Sequence, residues 1–355
     1  MNAAGANPAS IQRTMNTVLE SLDPLDEPVF PETENNQRRR LDYLGHAPCP
    51  LRTELRQRLH RHFRALEAKG GAAPAWFMPA GCHSPNPYDE LWLTEDAADL
   101  PGVISENGFG DYNRPEFLHR WFDTGVFGQV GAGGSRPEFH AAGLVDPRGQ
   151  FHVYGAVPEV ILVDLARLGD RPLPRTWADV LHPRFRHDVI VSGEPGDIHE
   201  SILHGLGRDH GEVGLAALGA NVRDFFHPAE MAKMAGTANP KGAALYILPN
   251  FFAKSCPRRE AVKTVWPEEG VYLNPLYLFR KATAAPAAAA AVDYLTGADW
   301  AAHLSKVGFA AARAGSPALP GKLRWVGWDY VRSTDLTAVA AKMNAAFARG
   351  YEASR

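Results

Sequence analysis

From Leu41 onward, short apolar runs end in glycine- or proline-bearing turns and alternate with helical stripes. LDYLGH reads as a short strand and APCP as the turn after it. Pro50 suits the first turn of a helix, where a missing N–H costs nothing. The following LRTELRQRLHRHFRALEAKGG sets Leu51, Leu55, Leu59, Phe63 and Leu66 on one stripe, and Gly70 and Gly71 stop it. PAWFMPAG and DLPGVISENGFG are two further apolar runs closed by turns. Strand, turn and helix in this alternation predict a parallel α/β sheet. Residues 156–268 repeat the theme: VPEVILVDLARL is a strand, TWADVLHPRFRHDVIVSGEP a short helix and a strand, and the next stretch helical, split at glycines. Helices are also expected around 284–303 and 335–350.

The chain has 355 residues, enough for about two domains of roughly 150. Its net charge of -3 argues against a whole-protein attraction to nucleic acid or anionic membrane. Residues 1–39 form a polar, Pro-rich extension with one helical candidate, SIQRTMNTVLESL. This stretch lacks the basic cluster and apolar core of an export leader. The most apolar stretch, TAAPAAAAAVDYLTG, is too short and interrupted to cross a bilayer. A cytoplasmic location is therefore expected, or a periplasmic one for a processed chain. Three cysteines, Cys49, Cys82 and Cys256, do not make a disulfide framework, although one bridge is open to an exported protein.

The run RPLPRTWADVLHPRFRHDVIVSGEP resembles a segment of the iron-type substrate-binding proteins of ABC importers. GEVGLAALGANVRDFF, AEMAKMAGTANPKGAALYIL, TVWPEEGVYLNPLYLFRKA and AAVDYLTGADWAAHLSKVGFAAAR resemble that family's later segments, in order. Together they span about residues 155–317; residues 40–155 fit by pattern alone. The resemblance implies an α/β, two-lobed type II periplasmic-binding-protein-like clamshell with a short N-terminal extension. Lobe one would be 40–157 with 269–355, and lobe two 158–268. A small-molecule or metal ligand would sit between them, beyond the carboxyl ends of the strands.

On that architecture three loops of the first lobe face the cleft: 45–50, 81–84 and 105–108. They carry His46, Cys49, Cys82, His83, Ser84, Glu106 and Asn107. Thiolate and imidazole suit a transition metal or a metal-containing ligand, so His46, Cys49, Cys82 and His83 are candidate metal ligands. Cys49 precedes a helix start, which favours a thiolate. In the second lobe, Ser192, Glu194 and His199 lie on a strand-to-helix loop, with Asp197 a candidate N-cap. The ferric-binding members of the family carry adjacent tyrosines after the strand that reads AALYIL here. This chain has Asn250, Phe251 and Phe252 instead, which cannot supply tyrosinate. Phe251 could stack on a flat ligand or pack in the core, and Asn250 could hydrogen-bond a ligand.

Helix 51–69 carries five arginines, but Glu54 and Glu67 break the run, and Glu54 supports Arg58 at i, i+4. A solvated face is expected; His204 and His210, near glycines in a helical break, could be surface residues as easily as anything else. No Walker loop, dinucleotide fingerprint, nucleophile elbow or HExxH motif is present. The expectation is a non-enzymatic binding protein that closes on a metal, metal-containing or flat ligand. An ABC permease or an intracellular partner would meet it. The alternatives are an intracellular metal carrier or metal-dependent enzyme with a His/Cys site, and a sensory or interaction module.

Overall fold

The computed structural model describes residues 40–79, 86–131 and 134–355. The SIQRTMNTVLESL candidate lies outside them, as do Cys82, His83 and Ser84.

The first β-α-β units form as their patterns require. β1 is Tyr43–Gly45, α1 Cys49–Ala68, β2 Trp76–Phe77 and β3 Val103–Asn107. Pro50 sits in the first turn of α1. Leu51, Leu55, Leu59 and Phe63, four residues apart, are each at most 2% exposed. They pack with Tyr43, Trp76 and Val103. Burying each such side chain contributes about 1.5–3 kcal/mol. The polar face carries the Glu54–Arg58 pair at 2.6 Å.

A long strand follows, β4 (His152–Asp164). Next come β5 (Val189–Val191), α2 (Glu200–Asn221), β6 (Val222–Phe225), β7 (Leu245–Pro249), α3 (Asn250–Ser255), β8 (Val262–Val265) and a second long strand, β9 (Val271–Lys281). The chain ends with α4 (Ala289–Leu295), α5 (Ala298–Val307), β10 (Ala310–Ala311), α6 (Trp328–Ser333) and α7 (Leu336–Ala353). The expected split at glycines in 200–221 is a kink at Gly211, whose φ of 63° and ψ of −166° leave the helical region.

The main sheet runs β2-β1-β3-β9-β4-β7-β5-β6. β4 and β9 are antiparallel partners and belong to both halves of it. The register fixes where the halves meet. The carboxyl end of β3, Asn107, is level with Leu276 of β9, which faces Gly155 of β4. The carboxyl end of β7, Pro249, is level with Glu159 of β4. β7 runs against β4, and β3 runs against β9. The ends of β3 and β7 therefore point toward one another across residues 155–159. Tyr154 is the extra residue of a bulge in the β4–β9 register, a device that re-aims a side chain.

Helix α7 docks on α2 and puts Ala346 and Phe347 into the core around β5 and β7. Glycines permit this approach. A Cβ on Gly350 would sit 1.9 Å from the Ala216 carbonyl oxygen, and one on Gly219 2.2 Å from that of Phe347.

Candidate functional site

The loop after β1 begins with His46, whose backbone N–H donates to the Ser105 carbonyl at 2.9 Å. Its Nδ1 lies 3.0 Å from Glu106 Oε2, and its Nε2 3.2 Å from Asn86 Nδ2. An amide donor at Nε2 places the proton of the neutral ring on Nδ1, facing the carboxylate. Burial opposes a charge on this ring, but Glu106 outweighs it and His46's pKa is raised. Glu106 Oε1 accepts from the Asn107 backbone N–H at 2.8 Å and from its Nδ2 at 3.0 Å. The three first-lobe residues His46, Glu106 and Asn107 thus form one cluster.

Of the four candidate metal ligands, Cys49 drops out. It is disulfide-bonded, so it offers no thiolate. Both His46 nitrogens already face partners. Among the described residues no group of three or more His, Cys, Asp or Glu could hold a metal ion. Cys256 is free but buried, a small core side chain.

On the facing half, His199 rather than Asp197 is the N-cap of α2, and its side chain makes no capping bond. Asp197 lies instead in a tight hairpin opposite Glu194. His199 Nδ1 lies 2.8 Å from Ser201 Oγ, which donates to Glu159 Oε1 at 3.2 Å. Glu159 is 1% exposed. Burial raises its pKa, against the opposing pull of His199 and Ser201. Glu200, the first residue of α2, accepts the Phe109 backbone N–H through Oε2 at 3.3 Å. One side of Glu200 is open to solvent, yet loss of water on the other raises its pKa. A Cβ on Gly108 would sit 2.8 Å from Asn274 Oδ1 and 3.1 Å from Glu200 Oε2. Asn274 Oδ1 is buried with no donor. Two acceptor oxygens thus converge on the corner after β3.

Ser192 is half-buried and Glu194 exposed; among the described residues neither bonds to these clusters. Asn250 Nδ2 donates to the Gly308 carbonyl at 2.8 Å. Phe251 packs edge-on to Phe252 at 5.0 Å and to Phe309 at 6.0 Å. Both side chains are half-buried and meet residues 308–309. His204, whose position the sequence leaves open, is 1% exposed.

Sequence reasoning passed over Glu159, Glu200 and Asn274. Glu159 did carry a signal, because a lone carboxylate inside VPEVILV must find a partner when the strand is buried. Asn274 and Glu200 carried none, since their roles depend on which loops meet.

Residues 98–334, about two thirds of the chain, match the profile of the bacterial extracellular solute-binding protein family. The chain belongs to that family. Two-lobed binding proteins share its fold. One is a Bordetella ferric binding protein, 14% identical over 89% of this chain and 99% of that one, with a TM-score of 0.57. A second is a Trichodesmium IdiA (FutA) protein in complex with iron and citrate, 15% identical over 88% and 98%, TM-score 0.55. A third is a two-component system protein that mediates signal transduction, 14% identical over 86% and 100%, TM-score 0.59. No curated protein sequence matches the chain. The family is extracellular, which overturns the cytoplasmic expectation. No helix among the described residues is long and apolar enough to cross a membrane.

Proposed function

We propose that the protein captures a small solute rich in hydrogen-bond donors, an organic cation above all, between its lobes and delivers it to an ABC permease without transforming it. The carrying observation is the convergence of Glu200 Oε2 and the donorless Asn274 Oδ1 on the Gly108 corner. Glu106 and Glu159 add carboxylates nearby. An ammonium or amidinium group would supply the donor that Asn274 Oδ1 lacks and a charge partner for the carboxylates, and charge-assisted bonds are the strong ones.

Ferric ion held by tyrosinate is less well supported. After β7, where the ferric-binding members of the resembled family carry adjacent tyrosines, this chain has Phe251 and Phe252, which have no oxygen to offer a metal. The relatives described as ferric-binding nonetheless take a cation, which agrees with a carboxylate-rich cleft. The division we infer sets 40–157 and most of 269–355 on one side and 158–268 on the other, with α7 docking on the second. Closure would swing the halves about β4 and β9.

A panel of organic amines, divalent and ferric ions, and inorganic phosphate, read by melting temperature, tests the reading. Amines should raise it and phosphate should not. No shift with any amine overturns the ligand class, and no shift across the panel overturns the binding role. A sensory module is the second reading, favoured by the two-component likeness. It predicts a stable protein partner in place of a permease.

A further inference from the structure

One stripe of α2 faces a joint rather than its own core. Glu200 takes the Phe109 N–H. One turn on, the His204 ring lies 4.7 Å from the Phe109 ring, and its Nδ1 meets Tyr330 Oη at 3.1 Å. A further turn on, Arg208 donates to the Trp325 carbonyl at 3.3 Å. Asp209 accepts from Tyr272 Oη at 2.8 Å and from Arg324 Nη2 at 2.6 Å. The far end of the same segment is tied to the other half. Trp328 Nε1 donates to the Leu144 carbonyl at 3.0 Å, and Arg332 grips Asp146 at 2.6 and 2.9 Å. Trp325 stacks on Phe109 at 5.4 Å. Residues 323–332 are thus a third connection between the halves, beside β4 and β9.

His204 is the imidazole at the centre of this joint. Facing it are Tyr330 from α6 and the ring of Phe109, on which Trp325 stacks in turn; Glu200 and Arg208 lie one turn away on its own helix. No carboxylate is bonded to its ring among the described residues. We propose that His204 is a proton-sensitive pin: its neutral ring holds the joint shut, and protonation lets the two halves part. Burial brings its pKa down to about 4, whereas a ring released to water titrates near about 6.5. The closed joint is therefore at full strength above the higher value and weakens as pH falls toward the lower. The open-to-closed ratio shifts by up to about 300-fold across that window.

Small-angle scattering of the ligand-free protein from pH 7.5 to 4.5, with circular dichroism to follow the fold, tests this without reference to any solute. Wild type should expand within the window at constant secondary structure, and His204→Gln should not. Equal expansion in His204→Gln, or none in wild type, overturns the proposal. If His204→Gln does not fold, NMR titration of the wild-type ring decides, with Tyr330→Phe identifying its signal. Ring protonation that coincides with expansion supports the pin, and protonation separated from it overturns the pin.

Discussion

Glu200 Oε2 accepts the backbone N–H of Phe109 at 3.3 Å, joining the first turn of α2 to the loop that leaves β3. The two residues are far apart in sequence, and on the proposed function their meeting forms one wall of the ligand site. Glu200→Gln keeps an acceptor but removes the charge, so affinity for an organic cation should fall by about tenfold, as expected for a hydrogen bond losing its charged partner. Glu200→Ala should weaken it further. Calorimetry with the amine that stabilises the protein most checks both; unchanged affinity in Glu200→Ala removes this residue from the site.

Glu159 gives a pH-dependent prediction. Its folded-state pKa lies above the ordinary value, because burial disfavours the carboxylate. Stability is thus complete while the group is protonated in both states and declines as pH rises through the folded pKa. Glu159→Gln should raise the melting temperature at pH 7.5 and lose that advantage at pH 4. A destabilised variant at pH 7.5 would show that the charge itself is needed by His199 and Ser201.

Gly350 should not tolerate alanine. In an exposed helix Gly→Ala is favourable by about 1 kcal/mol, but here the Cβ would meet Ala216 O at 1.9 Å. Overpacking of this kind costs about 1–3 kcal/mol. Chemical denaturation should therefore show a net loss for Gly350→Ala, and a gain would mean that α7 is free to shift on α2.

The Asp146–Arg332 pair is buried, at 0% and 10% side-chain exposure. Asp146 also accepts backbone N–H groups of Arg148, Gln150 and Phe151. Removing one partner strands the other, at a cost of about 3–5 kcal/mol. Arg332→Met should show that loss in denaturation, and a cost near zero would mean that solvent reaches Asp146.

The repeating strand, turn and helix units were legible from Leu41 onward because burial enforces period: Leu51, Leu55, Leu59 and Phe63 can face one core only on a helix. The His46–Glu106 meeting followed from the same logic, since neighbouring parallel strands deliver their ends to one place. What escaped was set by contacts distant in sequence. His204 stands beside glycines that leave its position open; in the fold Gly205 packs against Tyr272, and α6 and Phe109 cover the ring. Cys49 looked like a thiolate at a helix start, and its disulfide depends on chain geometry that spacing does not encode. The cytoplasmic expectation rested on the first residues, and where a chain begins does not say where the protein works.

Closure on a solute changes the overall dimensions of the molecule, which small-angle scattering reads. The protein would be compared alone and saturated with the amine that raises its melting temperature most, at pH 5.5, where the His204 joint is weakened and the ligand-free halves stand apart. The radius of gyration should fall on saturation, as the lobes swing about β4 and β9. An unchanged radius at saturation would contradict a clamshell that closes on its ligand.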